Sequence, residues 1–268
     1  MRTKSPIRTR TIRLILHQIK YDLIALTRSR QGLFFTIAIP VGFLILFATM
    51  FGSTVTAIDG RNFDFSTYYV ANLVTFAVID VAFMNLAITL VESRESGVLR
   101  RREATPQSPF VIIFARSASA SLTAVISSIL VLLVGRVAYN SYVSVSMLPI
   151  VLLAIVIGCI ACCCLAFALT SIIKANSAAQ PVAMAFGLPL FFISGIFIPW
   201  QFIPTWIQHV AMFFPLRHIS LALLGAFVRS HQGEGTIGAL KDLAVVGIWG
   251  IAGFAIAVRT FRWAPQER

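Results

Sequence analysis

Glu92-Ser-Arg-Glu-Ser-Gly-Val-Leu-Arg-Arg-Arg-Glu-Ala-Thr-Pro106 separates two long apolar runs, 65–91 and 110–134. Four arginines and three glutamates in so short a segment cannot rest in hydrocarbon. Each flanking run exceeds the roughly 20 residues that a helical span requires. The segment therefore reads as an aqueous connection between two membrane spans, and the rest of the chain can be read outward from it.

Composition agrees. Of 268 residues, 58% are hydrophobic and 12% charged, and mean hydropathy is +0.86. A soluble domain carries about twice that charged fraction. No polar stretch is long enough for a separate soluble domain, so 1–268 reads as a single transmembrane domain. The net charge of +12 would suit nucleic acid if it were gathered on one soluble surface. It lies instead at the ends of apolar runs, where membrane orientation and anionic lipid account for it. Arginine far outnumbers lysine, a bias consistent with a GC-rich bacterial genome. Cys159, Cys162, Cys163 and Cys164 share one uncharged run. Their spacing spreads the thiols around a helix, which suits small packing residues and not a zinc site.

Along the chain, residues 8–30 place Ile12, Ile15, Leu16, Ile19, Leu23 and Leu26 at helical spacing, with Arg13, His17 and Lys20 largely between them. That pattern predicts a basic amphipathic helix lying in the membrane interface. A first span is expected over 31–58, kinked near Pro40 and Gly42, then a short polar loop with Asp59, Arg61 and Asp64. The second span, 65–91, is interrupted only by Asp80. Further spans are expected over 110–134, 147–173, 180–198 and 237–258. Between the last two, 199–235 holds two apolar segments, 202–214 and 216–228, broken by Pro204, Pro215, Arg217 and His218. Both are too short to cross and read as re-entrant or interfacial.

The expected fold class is all-α integral membrane. It comprises an N-terminal interfacial amphipathic helix, six transmembrane helices, a cytoplasmic helix at 92–109, and an outer re-entrant hairpin between the fifth and sixth spans. With six spans, seventeen Lys and Arg residues fall on the side of the termini and of 92–116, against five on the other. Positive charge marks the cytoplasmic side, so both termini are expected there.

Two segments carry a family resemblance. Residues 92–109 resemble the loop of ABC-2 type exporter permeases that reads roughly E-R-E-x-G-T-L-R-x-L-x-A-T-P-x-S. Glu95, Gly97, Leu99, Arg100, Ala104, Thr105, Pro106 and Ser108 match; Val98 replaces the usual Thr, and Arg102 stands near the usual Leu. Leu188-Pro-Leu-Phe-Phe-Ile-Ser-Gly-Ile-Phe-Ile-Pro199, then Pro204 and Phe214-Pro-Leu-Arg217, is similar to the family's S-G-x-x-F-P run and its closing N-P-L-[TR]. The order of elements agrees over nearly the whole chain.

The resemblance implies a permease subunit in a bacterial plasma membrane, paired with a second copy or a related permease and driven by a separate ABC ATPase. ATP and magnesium would be bound by that ATPase. The first loop would be the coupling helix seated in the ATPase, through Glu92, Arg94, Glu95, Gly97, Leu99, Arg100, Arg101, Thr105 and Pro106. Glu92 and Glu95 would suit a helix N-terminus, and Arg100 and Arg101 its C-terminus. Motion would reach an outer gate at Ser194, Gly195, Phe197, Pro199, Pro215 and Arg217. The substrate implied is a small amphiphile (drug, antibiotic or lipid-like molecule), with polysaccharide or glycolipid export as the alternative inside the family.

Asp80 is the only acid well inside an apolar span. An acid there is expensive and is by default a functional hypothesis. It could line a substrate path with Asn85, pair with Arg116, or sit protonated against Asn85 or Asn72. From another class, a proton-coupled transporter using Asp80 competes, as does a scaffold without transport. No G-x-x-x-x-G-K-[ST] occurs, so this chain has no nucleotide-hydrolysing motif of its own. Hydrolase motifs and metal-ligand spacings are likewise missing from the sequence.

Overall fold

A computed structural model describes residues 7–29, 32, 34–51, 55–58, 61–96, 109–141, 143–173, 175–230 and 237–260. Helix α1 covers Ile7–Arg28. Asp22, Ile15, Ile19 and Leu23 are partly buried, while Arg13, His17 and Lys20 remain exposed. The helix packs along the third span, as its periodicity requires.

The first apolar run is shorter than expected. A π-helical turn at Phe34–Ala38 leads into α2, Ile39–Phe51. The run then leaves helix: Val55–Ile58 (β1) pairs antiparallel with Arg61–Asp64 (β2). The reason is local. Val55, Thr56 and Ile58 favour strand, and Asp59-Gly60 between them and β2 is a strong two-residue hairpin signal. Apart from this hairpin, every described element is helical.

The second span is the centre of the fold. It runs as α3 (Phe65–Ile79), a π-helical turn at Asp80–Asn85, and α4 (Leu86–Glu95), 31 residues in all. In its most apolar window 78% of the residues are buried within the chain, against 28% in the last span. It is surrounded by protein, whereas the outer helices leave apolar faces open. The third span, α5 (Pro109–Tyr139), opens on a proline and ends at Asn140, whose φ of 51° turns the chain out of helix. The fourth, α6 (Leu148–Thr170), follows a 3₁₀ turn at Val145–Met147 and carries a proline in its first turn.

The fifth, α7 (Asn176–Ile193), contains Pro181 and Pro189. After it come a short turn at Trp200–Phe202, α8 (Thr205–Ala211) and α9 (Pro215–Ser230). The described parts of α8 and α9 meet at 95°, the broken geometry expected of a re-entrant hairpin. The last span is α10, Ile237–Thr260. Among the described residues five helices are thus long and apolar enough to cross a membrane, or six if α8 and α9 form one bent span; Thr36–Phe51 is apolar but shorter.

Helices in lipid gain little from hydrophobic burial against one another, so close backbone packing decides their pairing. Helix α10 packs most extensively on α6. A Cβ built on Gly253 would lie 3.0 Å from the Leu165 amide nitrogen, and one on Gly250 would lie 3.2 Å from Ala161 Cα. Cys159, Cys162 and Cys163 are buried free thiols among the small residues of α6.

Candidate functional site

Polar side chains gather at the two ends of the helical bundle and at one point between them. At the end holding Glu92 and Glu95, the side chains form a clasp. Arg94, in the last turn of α4, is 2% exposed. Its Nη1 donates to the Thr170 carbonyl at 3.0 Å, its Nη2 to the Ile173 carbonyl at 2.5 Å, and its Nε faces Glu95 Oε1 at 3.3 Å. Carbonyls at a helix C-terminus have no partner within the helix and carry partial negative charge. A buried guanidinium answers both needs at the end of α6. One residue earlier, Ser93 Oγ accepts from Arg116 Nη2 at 3.2 Å. Arg116 also lies 3.7 Å from Asp22 of α1, whose other oxygen accepts from Ser119 at 3.1 Å. The clasp therefore joins α1, α5, α4 and α6 in one polar chain.

Two expectations change here. Glu92 and Glu95 do not begin a helix; they close the second span, Glu92 exposed and Glu95 partly buried beside Arg94. Arg94 faces inward to α6, so its side chain is not on the surface offered to a soluble partner. Gly97, Leu99, Arg100, Arg101, Thr105 and Pro106 lie outside the described residues.

At the other end, the turn after α7 is held from three directions. Gly195 has φ +82°, a left-handed conformation that glycine adopts without a Cβ penalty. Its carbonyl accepts from the Tyr68 hydroxyl, and the Ser194 carbonyl accepts from Arg217 Nη1 at 3.2 Å. The Arg217 guanidinium also lies 3.6 Å above the Trp200 ring, a cation–π contact. The Tyr69 hydroxyl reaches the Phe197 carbonyl at 3.4 Å. Beneath the turn, the Phe197 ring meets Phe43, Phe76 and Phe192, each at 5.4 Å between centroids, with Phe191 at 5.8 Å. Ser194, Gly195, Phe197 and Arg217 are thus brought together. Pro199 precedes the Trp200 turn, and Pro215 opens α9.

His218 ties the hairpin to the last span: Nδ1 is 2.8 Å from Asp242 Oδ1 and Nε2 is 2.9 Å from the Met212 carbonyl. Nearby, Trp249 Nε1 donates to the Phe213 carbonyl at 2.9 Å. Asp80 begins the π-turn at the middle of the second span, and Asn85 ends it. Neither Arg116 nor Asn72 is its partner. Asn72 accepts from Ser220 at 2.5 Å and donates to the Tyr68 carbonyl at 3.1 Å.

With this geometry in place, the sequence profile described as ABC-2 family transporter protein matches residues 56–259, some three quarters of the chain. The chain belongs to the ABC-2 transporter family. No curated protein matches it. Membership makes it a multi-pass membrane protein and implies association with an ABC ATPase. The matched residues of this ABC-2 protein take in Ser93, Arg94 and Arg116 of the clasp, the π-turn and the α8–α9 hairpin, and leave out all of α1 with its Asp22.

Sequence reasoning missed Tyr68, Tyr69, Asp22, Ser93 and the His218–Asp242 pair. The Phe65-Ser-Thr-Tyr-Tyr-Val-Ala-Asn72 stretch held a signal, since its polar groups must find partners if buried. Nothing in the sequence names those partners.

Proposed function

We propose that this chain is the permease subunit of an ATP-driven exporter, moving an amphiphilic drug, antibiotic or lipid-like substrate out of the cytoplasm or inner leaflet. The family match carries the reading. The clasp supports it physically: the segment expected to meet the ATPase begins within two residues of Arg94, which is fastened to the end of α6. A push on Glu92, Glu95 and the following residues 97–106 would act on α4 and α6 together. In turn α6 packs on α10, and α9 lies against α10 and the second span. The moving unit would then reach the turn at Ser194 and Gly195, where Tyr68 and Arg217 hold the gate shut. Coupling of this kind needs an element with two arrangements that both ends can bias. A second copy, or a related permease, completes the pathway.

Purification of the chain with its native partners tests the proposal. A co-purifying ATPase whose activity or attachment falls in Glu95→Ala supports it. A lone oligomer that transports without nucleotide would move the protein to proton coupling through Asp80.

A further inference from the structure

One side of the second span is less deeply enclosed than the rest, with Glu92 exposed and the other residues of that side partly buried. From Asp80 to the end of α4, the residues not fully buried are Asp80, Asn85, Ile88, Thr89, Glu92 and Glu95. Their steps across the π-turn and the following helix keep them on one side. The lane thus runs from mid-span to the expected cytoplasmic end, and it is polar except for Ile88. It carries three carboxylates, of which Glu95 is paired with Arg94 at 3.3 Å, and no basic residue of its own.

Asp80 stands at the midpoint of a 31-residue helix, about 22 Å of helix from either end. A carboxyl at that depth is held either protonated or beside a cation. Within the described chain no cation supplies the second arrangement. Arg116 is engaged by Asp22 and Ser93, and Arg94 by the Thr170 and Ile173 carbonyls. Asp80 forms no hydrogen bond or ion pair with any described residue. The π-turn that presents it is a rare distortion, found frequently at functional sites. One turn above it, the buried Phe76 adjoins the aromatic cluster, with buried Phe191 at 4.9 Å and the partly buried Phe43 and Phe197 at 5.8 and 5.4 Å. Ring faces attract cations as well as apolar groups.

We infer that Asp80 and the lane below it form a binding site for an amphiphilic organic cation. The carboxylate meets the positive charge, the partly buried Phe43 and Phe197 rings take the apolar body, and Glu92 at the mouth draws cations in. The inference names a substrate class for the export reading and rests on that reading for its physiological sense.

Tetraphenylphosphonium is the probe, because no pH alters its charge; tetraphenylborate matches its size with the opposite sign. Equilibrium binding to the full chain in zwitterionic nanodiscs is measured for wild type, Asp80→Asn and Asp80→Glu. The expected result is saturable binding of the cation and not of the anion. Asp80→Asn should weaken it about tenfold or more, while Asp80→Glu keeps most of it. Asparagine is nearly isosteric, and an unchanged melting temperature in the absence of probe verifies that the fold survives. Equal binding by wild type and Asp80→Asn overturns the site, as does absence of saturable binding or indifference to the probe's sign. The assay needs no ATPase. A chain that binds the cation through Asp80 but recruits no ATPase keeps the site and loses the export reading. A chain that recruits an ATPase and binds without regard to Asp80 loses the site alone.

Discussion

The Arg94 guanidinium donates to the Thr170 carbonyl at 3.0 Å, fastening the last turn of the second span to the last turn of the fourth. The two residues are 76 positions apart in sequence. Arg94 is therefore an internal strut at the edge of the segment that resembles a coupling helix, and not a residue of its surface.

Replacing Arg94 by Ala removes charge-assisted bonds from the end of α6 and should destabilise the protein by about 2 kcal/mol. Lysine places a single charge there without the two-pronged donor, so Arg94→Lys should recover only part of the loss. Thermal unfolding in detergent gives the ranking wild type, Lys, Ala. In a reconstituted complex with the ATPase, Arg94→Ala should keep nucleotide hydrolysis but lose its stimulation by substrate. A variant melting with wild type would show that the carbonyls find other donors.

The α6–α10 seam makes two glycines in one helix behave differently. A methyl on Gly253 would press on the Leu165 backbone at 3.0 Å, where neither atom can swing away. Gly253→Ala should cost about 1–3 kcal/mol, and Gly253→Val more. A methyl on Gly247 would meet nothing within 4 Å. Gly247→Ala should be neutral, or stabilise by up to about 1 kcal/mol through helix propensity. Chemical denaturation of the pair checks the contrast; equal effects would mean that α10 is rotated from the orientation described.

Gly195 sits under Tyr68 and Arg217. Its φ of +82° disfavours any side chain, and a Cβ would lie 3.0 Å from Arg217 Nη1. Gly195→Ala should cost about 1–2 kcal/mol. Tyr68→Phe deletes the hydroxyl that binds the Gly195 carbonyl and should cost about 1 kcal/mol. In transport assays both should raise substrate leak without nucleotide if this turn is the gate. Unaltered leak with lowered stability would make the contact purely structural.

His218 and Asp242 offer a double-mutant cycle. Their side chains are 2.8 Å apart, and both ring nitrogens of His218 face oxygen acceptors, an arrangement that the doubly protonated imidazolium satisfies. His218→Gln, Asp242→Asn and the double variant should show a coupling of about 1 kcal/mol or more in unfolding measurements. Strict additivity would mean that the pair does not hold the hairpin to α10.

The sequence by itself determined the membrane class, the existence of the long spans, the amphipathic first helix and the broken hairpin of α8 and α9. Each follows from local quantities: the length of an apolar run, the period of a pattern, or the position of prolines such as Pro204 and Pro215. It also carried the family, through short motifs at 92–109 and 188–217. It did not determine which way the spans face. The second span carries polar residues on more than one side, Asn72 and Arg94 buried and Asp80 and Glu92 less so, and such a pattern does not set its rotation. Only packing turned Arg94 inward to Thr170, brought Tyr68 under Gly195, gave Arg116 to Asp22 and Ser93, and left Asp80 without a partner in the described chain. The end of the first span at Phe51 belongs to the same class. Hydropathy carries on through Val55 and Ile58 and masks the Asp59-Gly60 hairpin signal, and the pairing with 61–64 shows that 55–58 are strand.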